Sequence, residues 1–235
     1  MIGLGTKALL IAFSGFSGVA GWASFSAPNW DPKELWRITH DNKFYLSNCF
    51  NDPSDKGTHK WTDSNLWIYL IVKGQVSDIK ADTELELWAE GWGKRMEKEQ
   101  AIQPTWYVEK SLQGSVEGDG EPSGFTSTDY ELTKWPSPTL FVLGETGGGE
   151  ENQIFGDTIK CNNKVFGFND SEDYKNYRLD KVTFKLKNID GVNAHLKDKY
   201  KGHNIYSIEI KTSETTGLGE GIIKWADNFK PIVIV

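Results

Sequence analysis

Residues 66–72, LWIYLIV, and residues 83–90, TELELWAE, decide the fold of this chain. The first run is continuously apolar, rich in β-branched and aromatic side chains, and bounded by turn residues. That is how a strand covered on both faces reads. The second sets Leu85 and Leu87 against Glu84, Glu86 and Trp88, the period of two of a half-exposed strand. Further along, Val182, Phe184 and Leu186 alternate with Lys181, Thr183, Lys185 and Lys187, and Tyr206, Ile208 and Ile210 alternate with Ser207, Glu209 and Lys211. Residues 222–225 and 232–235 add two short strands. Helices are expected to be few: one opening at Asp31-Pro32-Lys33-Glu34, with a cap, a first-turn proline and an acid, and ending near residues 39–41; one over the charged stretch 94–103; and one over 171–178. Residues 51–65, NDPSDKGTHKWTDSN, read as a loop. This order predicts an α+β fold, mostly antiparallel β-sheet with a few short helices, with a β-sandwich as the alternative. No repeat at a solenoid or propeller period occurs.

The N-terminus has a different character. No charge lies between Lys7 and Asp31, and residues 8–27, ALLIAFSGFSGVAGWASFSA, are long enough to cross a bilayer as a helix. Two readings stay open. An uncleaved anchor is supported by the small-residue spacings Ser14/Gly18 and Ser17/Gly21 and by Lys7 on the inner flank. A cleaved signal peptide is supported by small residues around 21–26. The expected organisation is therefore 1–29 as a signal peptide or transmembrane anchor, and 30–235 as an extracytoplasmic β-rich domain. A flexible segment is expected at 111–138, rich in Gly, Ser and Pro, and another at 144–152. The membrane is then a partner through residues 8–27. The cell membrane is the expected location, with secretion as the alternative.

A net charge of −7 argues against nucleic acid as a partner and against electrostatic attachment to anionic lipid. Cys49 and Cys161 are the two cysteines. They either pair across a long loop or stay as free thiols, and their spacing fits neither a zinc site nor a redox pair. His40, His59, His195 and His203 fall into no metal-ligand spacing. The glycine clusters 144–149 and 217–221 lack the Lys-Ser/Thr ending of a phosphate loop. No cofactor is expected.

Two groups of residues carry chemistry. Glu84, Glu86 and Glu90 form an acidic strand that looks somewhat like the catalytic strand of laminarinase-type jelly-roll glycosidases. Such enzymes need two carboxyls about 5–5.5 Å apart. The strand departs from that pattern: Glu86 stands where the family has Asp, and an extra residue before Glu90 makes a bulge necessary to bring Glu90 into phase with Glu84. The competing reading is a solvated strand face. The second group is aromatic. Trp61, Trp92, Trp106 and Trp135 sit in polar contexts among ten tryptophans. Exposed aromatics of this kind serve recognition of a partner or a sugar ring.

The opening MIGLGTKALLIAFSGFSGVAGWASFS resembles that of the small paralogous surface proteins of haemotropic mycoplasmas, in which a lysine precedes a Gly/Ala/Ser-rich apolar segment and then a soluble region of this size. The high-Lys, low-Arg usage fits that resemblance. It implies a membrane-anchored surface protein facing host cells, and it brings no functional residues with it. The leading expectation is thus non-enzymatic binding of a host protein or glycan. The alternative is a glycoside hydrolase built on Glu84, Glu86 and Glu90.

Overall fold

The chain divides into two compact units, residues 1–33 and 34–235. The computed structural model describes residues 34–38, 42–51, 60–98, 100–102, 105–113, 131–133, 140–142, 159–169, 176–189, 194–213 and 223–235, all in the second unit. The apolar segment 8–27, the glycine clusters, Trp135, His40 and His59 lie outside them. Among the described residues, no helix is long and apolar enough to cross a membrane.

The second unit is mostly β-sheet, as expected. Its strands are β1 (Leu35–Arg37), β2 (Lys43–Asn51), β3 (Lys60–Val72), β4 (Glu84–Glu97), β5 (Gln100–Ala101), β6 (Trp106–Ser111), β7 (Glu131–Thr133), β8 (Leu140–Val142), β9 (Ile159–Cys161), β10 (Phe166–Phe168), β11 (Asn176–Arg178), β12 (Val182–Asn188), β13 (Ile205–Thr212), β14 (Ile223–Trp225) and β15 (Ile232–Ile234). One short helix, α1 (Ala194–Lys199), connects β12 to β13. Thirteen strands form a single curled sheet in the order β1-β15-β13-β12-β4-β3-β2-β9-β8-β7-β11, with β5 and β6 branching from β4. The pairings are antiparallel except β1 with β15. β10 and β14 make a separate two-stranded ribbon. The described residues thus form one large sheet with a small ribbon, not the two comparable sheets of a β-sandwich.

The core lies on one face of this sheet. From β2, β3, β4 and β12 it takes Phe44, Leu46, Leu66, Ile68, Leu70, Leu85, Leu87, Ala89, Phe184 and Leu186, all buried. The ribbon caps it. Phe166 and Trp225 stack with ring centroids 5.3 Å apart, and both contact Phe184. The Trp225 indole N–H donates to the Ile208 carbonyl at 2.6 Å. Trp36 stacks on Phe44 at 5.5 Å. The LWIYLIV run is closed from both sides at Tyr69, whose exposure is zero although it lies opposite the core face.

Four expectations are corrected. Leu35–Arg37 is a strand rather than a helix, because parallel pairing with β15 buries both Leu35 and Trp36. Residues 94–97 continue β4 and 100–101 form β5. The charged residues that suggested a helix sit at the end of a ladder with β3, where Lys94 pairs with Asp63 at 3.6 Å. Residues 176–178 are a strand on β7, held by Tyr177 stacked on Phe168. Residues 60–65 extend β3, since Thr62 and Ser64 are buried while Asp63 and Asn65 are exposed. In each case long-range pairing overrides local propensity. The segment 111–138 also contains structure, namely the last residue of β6 and the whole of β7.

Candidate functional site

The second face of the sheet is wet over β12 and β13 and becomes aromatic over β2, β3, β4 and β6. The β3–β4 ladder runs without interruption from Lys60↔Glu97 to Val72↔Leu85. Every even-numbered residue of β4 therefore stands on this face. Glu84, Glu86 and Glu90 share it, and no bulge is needed to bring Glu90 into phase. Alternation by two already aligns residues 84, 86, 88 and 90.

Around Glu90 the neighbours are set by register. Tyr45 lies across from Tyr69, Tyr69 from Trp88, Trp67 from Glu90, Glu90 from Glu109, and Trp92 from Tyr107. Glu90 is only 4% exposed. Its carboxylate accepts hydrogen bonds from the Tyr45 hydroxyl at 2.6 Å, from the Tyr107 hydroxyl at 3.2 Å and from the Lys43 ammonium. The same ammonium donates to Glu109 at 2.9 Å and lies over the Tyr69 ring, 4.6 Å from its centroid. The Tyr69 hydroxyl donates to Glu109 at 2.7 Å. This is how a buried carboxylate becomes tolerable: it is paired and its lone pairs are occupied.

The electrostatics follow from these contacts. Burial works to lower the Lys43 pKa, but the hydrogen bonds and charges of Glu90 and Glu109 outweigh it and hold it above the ordinary lysine value. Glu109 is held below the usual carboxylate range by the bond from Lys43 and then that from Tyr69. Burial first, and then the carboxylates, push the Tyr69 and Tyr107 phenols well above their ordinary value.

The other acids have their own partners. Glu86 accepts from the Ser111 hydroxyl at 2.7 Å, and Glu84 pairs with Lys185 at 3.1 Å. Between Glu86 and Glu90, the Trp88 indole N–H is buried with no acceptor. Beside the network, Trp92 and Tyr107 are both about two-fifths exposed, at 41% and 42%, with rings edge to face at 5.3 Å. The structure thus brings Trp92 together with the acidic strand. Trp61, half-buried, stands on the same face at the far end of β3, opposite Met96. Trp106 occupies the register position opposite Gly93 on β4.

Cys49 and Cys161 face each other on β2 and β9 and form a disulfide. No cluster of histidine, cysteine and acidic residues able to hold a metal occurs among the described residues.

Sequence reasoning missed Lys43, Tyr45, Tyr69, Tyr107 and Glu109. The available signal was the alternation of Tyr107, Glu109 and Ser111 in WYVEKS, which marks a strand with a polar face. Comparison with protein-family models, with curated proteins and with solved structures finds no match.

Proposed function

We propose that this is a membrane-anchored extracytoplasmic surface protein whose β-rich domain binds a protein or glycan without catalysing a reaction. The observation that carries the binding reading is the exposed Trp92–Tyr107 pair beside hydrogen-bonding groups on one sheet face. Sugar rings and partner side chains pack on such aromatic surfaces, and polar groups alongside fix their orientation. The buried, unpartnered Trp88 indole N–H supports this reading, because it offers a donor to an incoming acceptor. The Cys49–Cys161 disulfide supports an oxidising compartment. The anchor rests on residues 8–27 and Lys7, and the resemblance of that opening to haemotropic mycoplasma surface proteins points the same way. The α+β description, with an N-terminal membrane helix, belongs to this proposal, and secretion is its alternative. The test is binding of the purified protein to panels of glycans and host surface proteins, read by tryptophan fluorescence. Binding that weakens at least tenfold in Trp92→Ala supports the proposal. Unchanged binding in that variant overturns the assignment of this face. Release from the membrane fraction by alkaline washing overturns the anchor.

A second reading, a glycoside hydrolase using Glu84, Glu86 and Glu90, is favoured by their common face. Against it stands the engagement of the Glu90 carboxylate by Lys43, Tyr45 and Tyr107. Hydrolysis of a glycan that is abolished in Glu86→Gln would establish it, and hydrolysis unaffected by that change would remove it.

A further inference from the structure

A chain of three amides crosses the strands toward Trp92. The Asn162 Nδ2 donates to the Asn48 Oδ1 at 3.3 Å, and the Asn48 Nδ2 donates to the Asn65 Oδ1 at 2.7 Å. Its direction is fixed by a backbone group. The Asn48 Nδ2 also donates to the Leu66 carbonyl at 3.0 Å, and a carbonyl can only accept. Asn48 therefore turns its Nδ2 toward Asn65 and its Oδ1 toward Asn162. Asn65 in turn gives its oxygen to Asn48 and keeps its Nδ2 for another acceptor. Asn65 is exposed, and among the described residues its Nδ2 has no partner. The start of the chain is held in place. Asn48 and Asn162 each adjoin a cysteine of the Cys49–Cys161 disulfide, and the Asn162 backbone N–H donates to the Asn48 carbonyl at 2.9 Å.

Register sets the open end of this chain beside the aromatic pair. Asn65 lies directly opposite Trp92, and Trp92 opposite Tyr107. Side chains paired in this way have Cβ atoms about 4.5–5.5 Å apart. Two residues along β6 from Tyr107, on the same face, stands Glu109, its side chain 40% exposed. Lys43 and Tyr69 both donate to its Oε1, which leaves Oε2 as an open acceptor among the described residues. The exposed aromatic surface is thus flanked by an amide donor from β3 and a carboxylate acceptor from β6.

A ring with hydroxyls around its rim suits all three. Its C–H face packs on the aromatic surface, a hydroxyl on one side accepts from Asn65, and a hydroxyl on the other donates to Glu109. An apolar side chain would strip water from both polar groups and return nothing. An anionic ligand would meet two carboxylates, Glu90 and Glu109, against the single Lys43 ammonium that joins them.

We infer that the ligand of this face is an uncharged sugar ring, packed against Trp92 and Tyr107 and oriented by the Asn65 Nδ2 and the Glu109 carboxylate. The inference rests on the binding reading given above and narrows it from a protein or glycan to a neutral glycan.

The experiment titrates the full chain with neutral oligosaccharides of glucose, galactose, mannose and N-acetylglucosamine, and with sialylated and sulfated forms of the same chains, read by tryptophan fluorescence. A neutral oligosaccharide should bind, and its charged form should bind at least tenfold more weakly. Asn65→Asp keeps an oxygen for the Asn48 Nδ2 and removes only the donor, so it should weaken the sugar about tenfold, as expected for one lost hydrogen bond. In the native protein the Asn65 side-chain amide resonances should shift with the same sugar, a readout that needs no variant. Charged glycans bound as tightly as neutral ones, equal affinity in Asn65→Asp, or Asn65 resonances unmoved by the sugar would overturn the inference. So would a panel on which no neutral glycan binds. If a host protein then binds and is lost in Trp92→Ala, the binding reading stands and the sugar assignment alone falls. A ligand whose binding ignores Trp92→Ala removes both.

Discussion

Glu90 and Glu109 stand directly opposite each other on β4 and β6 and share one cation, the Lys43 ammonium brought in from β2. The three strands are thus joined by charge across a β-strand, β3, that contributes Tyr69 to the same cluster. Removing the cation leaves two carboxylates facing each other, one of them buried. Lys43→Met is therefore expected to destabilise the domain by about 2–4 kcal/mol. Adding Glu109→Gln to that variant should recover part of the loss. Urea unfolding of the single and double variants measures both.

The same cluster sets a pH dependence with a defined sign. Glu109 has a lowered pKa when folded, so the unfolded chain binds more protons around the ordinary value of 4.5. Its contribution is present above that value and is lost as pH falls through the lower folded one. Acid unfolding should be shallower in Glu109→Gln than in the native protein.

The alkaline limb runs the other way. Tyr69 and Tyr107 are raised above 10.0, so the stability tied to their neutral forms is complete below that pH and declines above it. In an ultraviolet titration both should be missing from the transition near 10 and ionise only as the domain opens. Tyr107→Phe should remove one of these late-ionising groups.

Gly91 is required by a close approach between strands. A Cβ built there would lie 2.2 Å from the Asn65 carbonyl oxygen and 2.8 Å from the Leu66 Cα, both backbone atoms that cannot step aside. Gly91→Ala is expected to cost about 3 kcal/mol. Gly74, with a φ of +121° but nothing within 4 Å, should cost about 1 kcal/mol when changed to Ala. Thermal unfolding of the pair separates a steric clash from backbone strain alone.

The Cys49–Cys161 disulfide closes a separation of 112 residues. Replacing both cysteines with serine should lower stability by about 3–5 kcal/mol, chiefly by freeing the unfolded chain. Chemical denaturation with and without reductant, in the native protein and in the double serine variant, checks this. Reductant should have no effect in the variant.

What could be read from the sequence depended on which side chains faced inward. LWIYLIV, TELELWAE and the two C-terminal alternations place apolar residues on the core side, so their period shows in hydrophobicity alone. In KWTDSN the inward residues are Thr62 and Ser64, so that stretch looks like loop, and in WYVEKS the alternating Tyr107, Glu109 and Ser111 carry no apolar period. In β2 the register shifts between Tyr45 and Ser47, which turns the alternation over midway and hides Lys43 and Tyr45 as members of the aromatic face. The acidic strand was legible. Its partners were not, because Lys43 and Glu109 reach Glu90 only through strand order, which no local pattern encodes.

The parallel pairing of Leu35–Arg37 with Ile232–Ile234 has a kinetic meaning. β1 cannot pair with this neighbour until β15 has been synthesised, and a contact between such distant segments is slow to form. Until β15 emerges, Leu35, Trp36 and Ile38 lack the cover that it gives them. The nascent domain therefore carries an exposed apolar stretch at β1, of the kind that chaperones hold, until β15 docks beside it.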